Sequence, residues 1–432
     1  MRLCYNILFL ISFWVSAPWY FFKMWRRGNW RAGLGQRFGR YRPEIKAAVS
    51  GRPLLWLHAV SVGEVGVCLQ LIRSLEPRLA GWQFAISTTT STGMGELERR
   101  LPAQHLRFYY PTDFPGAVRR AFQTFRPRAI VLVEAEIWPN FLWQAVERDT
   151  PLFLVNTRIS ERSFKGYLRF AFLFRPLFAR FQGVGGQSPH DAERLVRLGF
   201  PSEAVCVTGN LKFDAAKPDD RPGLDVPALL GQIGVKPDAL LFVAGSTHSG
   251  EEGILADMLP RLRQKCPNLF LILVPRHFER TKEVTRQLTD RGVKFIRRSD
   301  ITDQTRLAPG EIECLLVNTT GELKFFYTQA SVVFVGKSLT ARGGQNPIEP
   351  AALGKAMIFG PNMQNFASVA RAFLEGRGAV QVESSAELEE ALGQLLGDAR
   401  LRSELGARAL KVVQENSGAT HRTVDLIMEK LT

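Results

Sequence analysis

The sequence contains few cysteines and histidines, and neither residue type is spaced as metal ligands usually are. The cysteines number five, are widely scattered and include no CxxC pair: Cys4, Cys68, Cys206, Cys266 and Cys314. This usage excludes a disulfide framework and a zinc site, and it predicts reduced side chains in a cytosolic body. The six histidines show no HExxH or comparable spacing, so we expect no metal. No GxGxxG follows the first predicted strand, where SVGEVG carries an acid instead, and this argues against a dinucleotide cofactor.

The N-terminal segment lacks charge. Residues 3–22 (LCYNILFLISFWVSAPWYFF) carry no charged side chain and are rich in Leu, Ile, Phe and Trp. Such a segment is long enough to span a bilayer or to lie in its interface. A cleaved signal peptide is the competing interpretation, but only Arg2 precedes the apolar run, while a basic cluster follows it. We therefore predict a membrane anchor at residues 3–22.

The next segment, residues 23–42, has seven basic residues and no acid, in a chain whose formal net charge is +15. Aromatic side chains are interleaved with these bases, at Trp25, Trp30, Phe38 and Tyr41. Nucleic acid and an anionic membrane surface are the two partners that such a segment suits. The uncharged run before it favours the membrane and argues against nucleic acid. Because basic flanks stay on the cytoplasmic side, the rest of the chain is predicted to be cytoplasmic.

After this basic collar, short apolar runs alternate with helical patterns. The alternation predicts βαβ units and parallel sheets, and 432 residues are enough for two or three domains. Four prolines and many charges at 217–238 predict a linker. We expect two doubly wound α/β halves facing a cleft, with residues 1–42 as anchor and collar, 43–216 as the first domain, 217–238 as the linker and 239–432 as the second domain with terminal helices. The predicted strands are 54–58, 84–87, 129–133, 152–156, 183–186 and 205–208, then 240–244, 269–274, 294–297, 314–318, 332–335, 356–359 and 379–382.

The motif PLLWLHAVSVGEVG at residues 53–66 organises the first half. A buried strand, a small-residue turn and a helix put Glu64 near a helix N-terminus, at the sheet edge where open α/β folds bind ligands. The helix dipole would keep the carboxylate ionised near neutral pH, so that it can accept a proton from an attacking hydroxyl. The alternative, that Glu64 is a first-turn capping residue without chemistry, stays open on this motif alone.

Other polar residues follow the predicted strands of the first half. VEAEIWPN puts Glu134 and Glu136 at a strand end, and TGNLKFD adds Lys212 on the same edge. STTTSTG at 87–93 has hydroxyls that suit an anion, although a capped helix start explains this motif better. Further bases follow another strand, at Arg158, Arg162 and Lys165. These bases would form mere rim ion pairs in the plain interpretation, but their shared position at strand ends favours an anionic ligand.

The second half has comparable loops. VPRHFER places Arg276 and His277 at a strand end, where a guanidinium suits phosphate or carboxylate. TTGELKFFY puts Glu322 at a strand-to-helix turn, and GSTHSGEE at 245–252 opens a helix rich in acids. GGQNPIEPAALGK at 343–355 places Glu349 in a helical first turn, where it can accept from ribose hydroxyls while the helix N-terminus faces phosphate. An acidic helix cap is the alternative, but the flanking glycines favour a ligand loop.

In this order, HAVSVGE, TTTSTG, EAEIWPN, NTRISERS, TGNLKFD, PRHFER, TTGEL and GGQNPIEPAALGK resemble the motifs of the 3-deoxy-D-manno-octulosonic acid (Kdo) transferases, bacterial lipid A glycosyltransferases. The resemblance runs from the N-terminal segment to about residue 360 and more loosely to the end. It implies a GT-B fold of two Rossmann-like domains, the first binding the acceptor and the second CMP-Kdo. It also implies inverting transfer of Kdo from CMP-Kdo to a lipid A precursor (tetraacyldisaccharide 4'-phosphate) in lipopolysaccharide core biosynthesis, at the cytoplasmic face of the inner membrane. Neither a metal nor a bound cofactor is expected, because CMP-Kdo is a substrate.

The resemblance also implies roles for individual residues. Glu64 matches the family's general base, and Glu134 and Lys212 match residues that support the transition state. The positions that match CMP-binding residues are Pro275, Arg276, Thr320, Gly321, Glu322, Asn346, Pro347, Ile348 and Glu349. The chain departs from the family pattern at Ala135, where Thr is frequent, and at Gln345, where His is frequent.

Two other functions remain open. A two-lobed transferase for another nucleotide sugar, such as a heptosyl or N-acetylglucosaminyl enzyme, would prefer a uridine or adenosine diphosphate sugar. A membrane-attached binding module for anionic lipid would show no turnover, but the acids expected at the sheet edges, Glu64, Glu134 and Glu349, argue against it.

Overall fold

The computed structural model describes residues 1–26, 33–134, 136–216 and 223–431. They form two compact units. Unit 1 comprises Met1–Ala215 and Ser417–Thr432, and unit 2 comprises Ala216–Asn416. Each unit contains a seven-stranded sheet in which all paired strands are parallel. The prediction of two parallel α/β halves is therefore confirmed.

The strands of unit 1 are β1 (Leu54–Ala59), β2 (Gln83–Thr88), β3 (Leu106–Tyr109), β4 (Ala129–Val133), β5 (Leu152–Thr157), β6 (Phe181–Gly186) and β7 (Val205–Val207). Their order is β3-β2-β1-β4-β5-β6-β7. Every residue of β1, β2, β4 and β5 is buried, because helices cover both faces of the sheet. The sequence missed β3, since Arg107 interrupts its short apolar run.

The helices of unit 1 before residue 200 are α1 (Arg2–Arg26), α2 (Leu34–Arg37), α3 (Pro43–Ala47), α4 (Val62–Leu75), α5 (Ser91–Arg100), α6 (Pro115–Phe125), α7 (Pro139–Val146), α8 (Glu161–Arg169), α9 (Ala171–Phe178) and α10 (Pro189–Leu198). Short 3-10 turns lie at Ser202–Ala204 and Phe213–Ala216. Several helices begin at hydroxyl N-caps: the side chains of Ser61, Thr90, Ser160 and Ser188 accept backbone N–H groups of the first turn.

Helix α1 packs on unit 1 through both polar and aromatic contacts. The Tyr5 hydroxyl donates to the Asp113 carboxylate at 2.8 Å. The same carboxylate accepts from the backbone N–H groups of Asn140 and Phe141 at the start of α7, at 3.0 and 2.9 Å. The Phe9 ring meets Trp138 edge-on. The first turns of α1 therefore dock on the segment that leads into α7.

The membrane anchor predicted at residues 3–22, either spanning the bilayer or lying in its interface, is not supported. The segment is helical, but none of the helices that the structure describes is both long and apolar enough to cross a membrane. Polar residues such as Tyr5 and Asn6, which bond to Asp113 and Asn140, interrupt its apolar surface. Residues 27–32 of the predicted basic collar lie outside the described residues.

The strands of unit 2 are β8 (Leu240–Thr247), β9 (Leu269–Pro275), β10 (Phe295–Arg297), β11 (Cys314–Leu316), β12 (Val332–Val335), β13 (Ala356–Phe359) and β14 (Val380–Gln381). They are ordered β10-β11-β9-β8-β12-β13-β14, and all seven predicted strands of this half are present. The helices are α11 (Val226–Gln232), α12 (Glu251–Lys265), α13 (Thr281–Asp290), α14 (Leu323–Gln329), α15 (Ile348–Ala352), α16 (Ala367–Glu375), α17 (Ser385–Gly397) and α18 (Ala399–Asn416), with 3-10 turns at Phe278–Arg280, Arg298–Asp300 and Gln364–Phe366.

The structure describes only part of the linker predicted at 217–238. Residues 217–222 lie outside the described part of the chain. Helix α11 occupies the middle of the remainder, because the Asp225 side chain caps it by accepting from the Ala228 N–H at 3.0 Å and a proline lies in its first turn. The prolines that suggested a linker therefore include one that starts a helix.

The last helix, α19 (Ala419–Leu431), belongs to unit 1, whereas the sequence placed all of 239–432 in the second domain. Val424 and Ile427 are buried in the unit 1 core. The Asp214 carboxylate accepts from the N–H groups of Gly418 and Thr420, at 2.7 and 2.6 Å. A helical pattern identifies the apolar face of a helix but not the core that it covers, so the sequence could not assign α19.

Candidate active site

Glu64 lies in the first turn of α4, directly after β1, where the sequence predicted it. The Ser61 side chain accepts from the Glu64 N–H, and the Glu64 carboxylate accepts in return from the N–H groups of Val60 at 2.8 Å and Ser61 at 3.3 Å. The Ser61 hydroxyl also donates to Glu64 Oε1 at 2.7 Å. These contacts form a capping box, so Glu64 does have the structural role that was the alternative interpretation.

Capping leaves part of the carboxylate open. A carboxylate accepts at about four lone-pair positions. Oε1 of Glu64 receives both bonds from Ser61, while Oε2 receives only the one from Val60, so Oε2 keeps an acceptor position that no described donor uses. Burial raises the pKa of Glu64 and the charge of Glu134 raises it further, while the bonds from Val60 and Ser61 offset part of the rise. The helix-dipole argument from the sequence did not include burial or the charge of Glu134. A buried carboxylate with a raised pKa and an open acceptor position is chemically suited to take a proton.

Glu134 and Lys212 meet beside Glu64. Glu134 follows β4 and Lys212 follows β7, and the Lys212 ammonium lies 3.3 Å from Glu134 Oε1. The Lys212 Cε lies 4.0 Å from the position that a Cβ on Gly63 would occupy, so its side chain runs along the start of α4. Glu134 has a φ of +61°, a backbone conformation that non-glycine residues rarely adopt and that clusters at functional sites. The structure thus brings together the three residues that the sequence selected in this half.

Two supporting residues fix this geometry. The Asn156 side chain, at the end of β5, accepts from the Leu211 N–H at 3.0 Å and so holds the loop that carries Lys212. Asn156 is buried with a φ of +54°, and sequence reasoning missed its role because Asn is also ordinary in loops. The Thr90 hydroxyl donates to the Val60 carbonyl at 2.8 Å while capping α5. The STTTSTG motif is therefore a capped helix start that also supports the Glu64 turn.

The other predicted edge residues of unit 1 are more peripheral. Glu136 accepts from the Trp138 indole N–H at 2.9 Å, and burial raises the pKa of its carboxyl. Lys165 pairs with Glu161 on its own helix at 3.5 Å, which is the rim ion pair that was the plain alternative for it. Arg158 and Arg162 are exposed. Ala135 lies outside the described residues.

In unit 2, the predicted nucleotide residues follow β9, β11 and β12 at one edge of the sheet. The Asn346 amide donates to Glu349 Oε1 at 3.1 Å, and its oxygen accepts from the Ile348 N–H at 3.1 Å. Desolvation by the surrounding protein raises the pKa of Glu349, and the Asn346 bond and the charges of Arg276 and Lys324 offset part of this rise. Arg276 and Glu349, from loops far apart in sequence, are therefore close enough to interact.

The third of these loops contains Thr320, Gly321 and Glu322. Gly321 has a φ of +87°, which explains the glycine in this turn. Glu322 is held by the Thr319 hydroxyl and by Arg298, whose Nε lies 3.2 Å from its carboxylate. The remaining predicted positions, Pro275, Pro347 and Ile348, lie beside these residues at the ends of β9 and the start of α15.

The two helices beside the predicted nucleotide residues are short. Helix α15, which starts beside Glu349, has only five residues, and α14, which follows Glu322, has seven. A macrodipole needs several aligned peptide units, so these short helices offer little field to a phosphate.

No group of three or more His, Cys, Asp or Glu side chains that could hold a metal ion is present in the described parts of the chain.

Known proteins with similar sequences point to one family. Residues 32–215 match the family model described as 3-Deoxy-D-manno-octulosonic-acid transferase (kdotransferase). The chain is 32% identical over 406 residues to the 3-deoxy-D-manno-octulosonic acid transferase of Haemophilus influenzae, a match covering 92% of this chain and 91% of that protein. It is 34% identical over 432 residues to the transferase of the same name from Bordetella pertussis, covering 96% of this chain and 97% of that one.

The chain is also similar in fold to a solved structure. The crystal structure of Acinetobacter baumannii MurG is similar with a TM-score of 0.53 and 16% sequence identity, over 88% of this chain and 99% of that chain. The fold with two parallel seven-stranded sheets is therefore GT-B-like.

Proposed function

Because the chain belongs to the 3-deoxy-D-manno-octulosonic acid transferase family, and is therefore a glycosyltransferase, we propose that it transfers Kdo from CMP-Kdo to a lipid A precursor, tetraacyldisaccharide 4'-phosphate, in lipopolysaccharide core biosynthesis. The observation that carries the proposal is the Glu64 carboxylate, which is buried, has a raised pKa and keeps an acceptor position on Oε2. A transferase that joins a hydroxyl to a sugar needs such a base.

In the proposed reaction, Oε2 of Glu64 takes the proton of the primary hydroxyl of the acceptor. The hydroxyl oxygen forms a bond to the anomeric carbon of Kdo. The bond from that carbon to the phosphate oxygen breaks, and its electron pair leaves with CMP. Direct displacement of this kind inverts the anomeric configuration. Glu134 assists because its negative charge makes Glu64 more basic, and Lys212 fixes Glu134 in place through their ion pair.

The donor nucleotide is proposed to bind on unit 2, at Pro275, Arg276, Thr320–Glu322 and Asn346–Glu349. The Arg276 guanidinium suits the leaving phosphate. The carboxylate of Glu349, oriented by Asn346, suits the ribose hydroxyls as an acceptor.

We also propose that the protein acts at the cytoplasmic face of the inner membrane, with α1 lying in the interface. Several large apolar side chains of this helix are exposed, among them Leu3 at 72%, Trp14 at 68% and Val15 at 78%. A helix that exposes apolar and aromatic residues beside a basic segment is suited to interfacial attachment to anionic lipid. The acceptor is itself an anionic lipid, so this location would bring enzyme and acceptor together.

The test is an incubation of the purified, detergent-solubilised protein with the tetraacylated lipid A precursor and CMP-Kdo generated in place. Mass spectrometry reads the lipid product. Mass increases by whole Kdo units are expected, and their number counts the sugars added. Parallel incubations with uridine and adenosine diphosphate sugars serve as controls. A product that forms only with one of those donors would replace the proposed donor, and an unchanged lipid in every incubation would refute the transfer.

A further inference from the structure

A fully buried carboxylate joins two loops at the carboxyl edge of the unit 2 sheet. Glu251, the first residue of α12, is 0% exposed. Its Oε2 accepts from the N–H groups of both His248 and Lys337 at 2.8 Å, and its Oε1 accepts from Ser338 and Leu339 at 2.9 and 3.0 Å. Since one oxygen bridges two amides, the backbones of His248, after β8, and Lys337, after β12, lie side by side.

Lys337 is held in an unusual conformation next to the predicted nucleotide loop. Its φ is +55°, and the preceding Gly336 lies so close to the 246–247 backbone that a Cβ there would be 2.5 Å from the Ser246 carbonyl oxygen. The Lys337 side chain crosses Gly343, with Cε and Nζ at 3.3 and 3.5 Å from the position of a Cβ on that glycine. Gly343 begins the loop that contains Asn346 and Glu349. In the described part of the chain, no carboxylate pairs with the Lys337 ammonium.

Other groups that can carry positive charge converge on the same place. The rings of His248 and His277 have centroids 6.0 Å apart in an edge-to-face arrangement. Partial burial lowers the pKa of His248, and the charges of Lys337, Arg280 and His277 lower it further. Like charges that act on one side chain must lie near one another.

The acids nearby do not cancel this charge at the surface. Glu251 uses both oxygens on four backbone amides, and Glu252 is bonded by two nitrogens of Arg280 and by the Thr247 hydroxyl. Both carboxylates are fully buried. The groups of this cluster that remain open to a ligand are therefore the Lys337 ammonium and the imidazole rings of His248 and His277, whose N–H groups can donate to an anion.

We propose that Lys337, with His248 and His277 beside it, forms a subsite for an anionic group of the donor, either its phosphate or the carboxylate of its sugar. This inference rests on the proposed function and extends it to residues for which the sequence motifs predicted no role. The subsite lies between the loops after β8, β9 and β12, and the Glu251 carboxylate holds two of those loops in register.

The test compares Lys337→Met with the matched control Lys265→Met, both made in the full chain. Lys265 lies at the other end of α12, on an exposed surface away from this edge. Two quantities are measured: the dissociation constant of CMP by calorimetry, and the KM for CMP-Kdo generated in place. CMP has the phosphate but no sugar carboxylate, so the pair of measurements distinguishes the two anions. Loss of a charge-assisted hydrogen bond predicts a change of about ten- to a hundredfold.

If Lys337→Met raises the dissociation constant of CMP, the subsite binds the phosphate. If it raises only the KM for CMP-Kdo, the subsite binds the sugar carboxylate. Lys337→Arg should recover most of the loss because it keeps the charge. Unchanged values for both ligands, or equal changes in Lys265→Met, would overturn the proposal. Should Lys337→Met fail to fold, His248→Asn carries the same prediction with a smaller change. A wild-type chain that neither binds CMP nor transfers Kdo refutes the proposed function itself, and the subsite with it.

Discussion

Replacing Glu64 by Gln separates the two roles that the structure gives this residue. Gln has nearly the same shape and keeps a side-chain oxygen that can accept from Val60 or Ser61, and it is a usual residue at this position of a capping box. It cannot take a proton from a hydroxyl. The substitution should therefore preserve the start of α4 and remove only the proposed base.

The two effects differ in size. A positioned general base contributes about 100- to 10,000-fold to a rate, which is about 3 to 5 kcal/mol of activation free energy. Weakening the accepted hydrogen bonds costs about 1 kcal/mol of unfolding free energy. In a unit of this size that lowers Tm by only about 2–4 °C. Glu64→Gln should thus lose nearly all turnover while staying folded at the assay temperature.

The assay is Kdo transfer followed by mass spectrometry, with Tm measured on the same preparations. Glu387→Gln is the control, because Glu387 has a similar place at the start of α17: the Ser384 side chain accepts from its N–H, and its carboxylate accepts from the Glu383 N–H at 2.9 Å. Because Glu387 is exposed, this control should lose no more stability than Glu64→Gln, and it should lose no activity. Near-normal turnover by a folded Glu64→Gln variant would refute the base, leaving Glu64 as a cap alone.

The pH dependence adds an independent check on the same residue. The base form of Glu64 is the ionised one, so kcat should fall as pH drops through its pKa. Burial and Glu134 raise that pKa above the ordinary range for Glu, so the fall should begin at a higher pH than for an exposed carboxylate. Glu134→Gln removes the negative charge that raises the pKa of Glu64, so it should move the acidic limb of the pH profile to lower pH. A limb that stays in place would mean that Glu134 does not act on the base.

Two further substitutions test buried contacts within each unit. Tyr5→Phe removes the hydroxyl that donates to Asp113. Burial raises the pKa of Asp113 to about 7, so the folded state binds the carboxyl proton more tightly than the unfolded state does. The stability that this proton contributes is therefore lost as pH rises towards 7. Because the hydroxyl bonds more strongly to the ionised carboxylate, the Tm loss of Tyr5→Phe should be larger at pH 8.5 than at pH 5.5. Tyr41→Phe is the control and should change Tm little at either pH, because the buried Tyr41 hydroxyl has no described partner. Equal losses for Tyr5→Phe at both pH values would contradict this. Arg280→Met strips the fully buried Glu252 of its cation and should cost about 3–5 kcal/mol in denaturant unfolding, and a cost below about 1 kcal/mol would contradict the buried pair.

The sequence predicted most of the fold because parallel strands buried on both faces appear as apolar runs. All strands of unit 2 were predicted in this way, and so was the turn that carries Glu64. Long-range packing could not be predicted from the sequence. Nothing local shows that α19 returns to the unit 1 core, or that α1 uses Tyr5 to reach Asp113.

The same division holds for the candidate site. The sequence identified Glu64, Glu134 and Lys212 as candidate site residues because each follows a predicted strand, and the carboxyl ends of parallel strands share one edge of the sheet. The sequence missed Asn156 and also Lys337, the residue of the proposed subsite. Both contact residues more than fifty positions away in the chain, and their positive φ values are invisible in the sequence. The apolar residues of α1 were visible, but its docking contacts were not.

Capping by Ser61 and the proposed proton transfer are compatible at Glu64 because they use different oxygens. Both bonds from Ser61 go to Oε1, and the open acceptor position is on Oε2. In the proposed reaction the proton arrives on Oε2, so the N-cap of α4 keeps its bonds to Oε1 during turnover and only the Val60 N–H bond weakens. The raised pKa means that the protonated state is itself tolerated in this buried position. A helix start that survives protonation of its capping acid can return that acid to the same geometry after each turnover, which is what a general base requires.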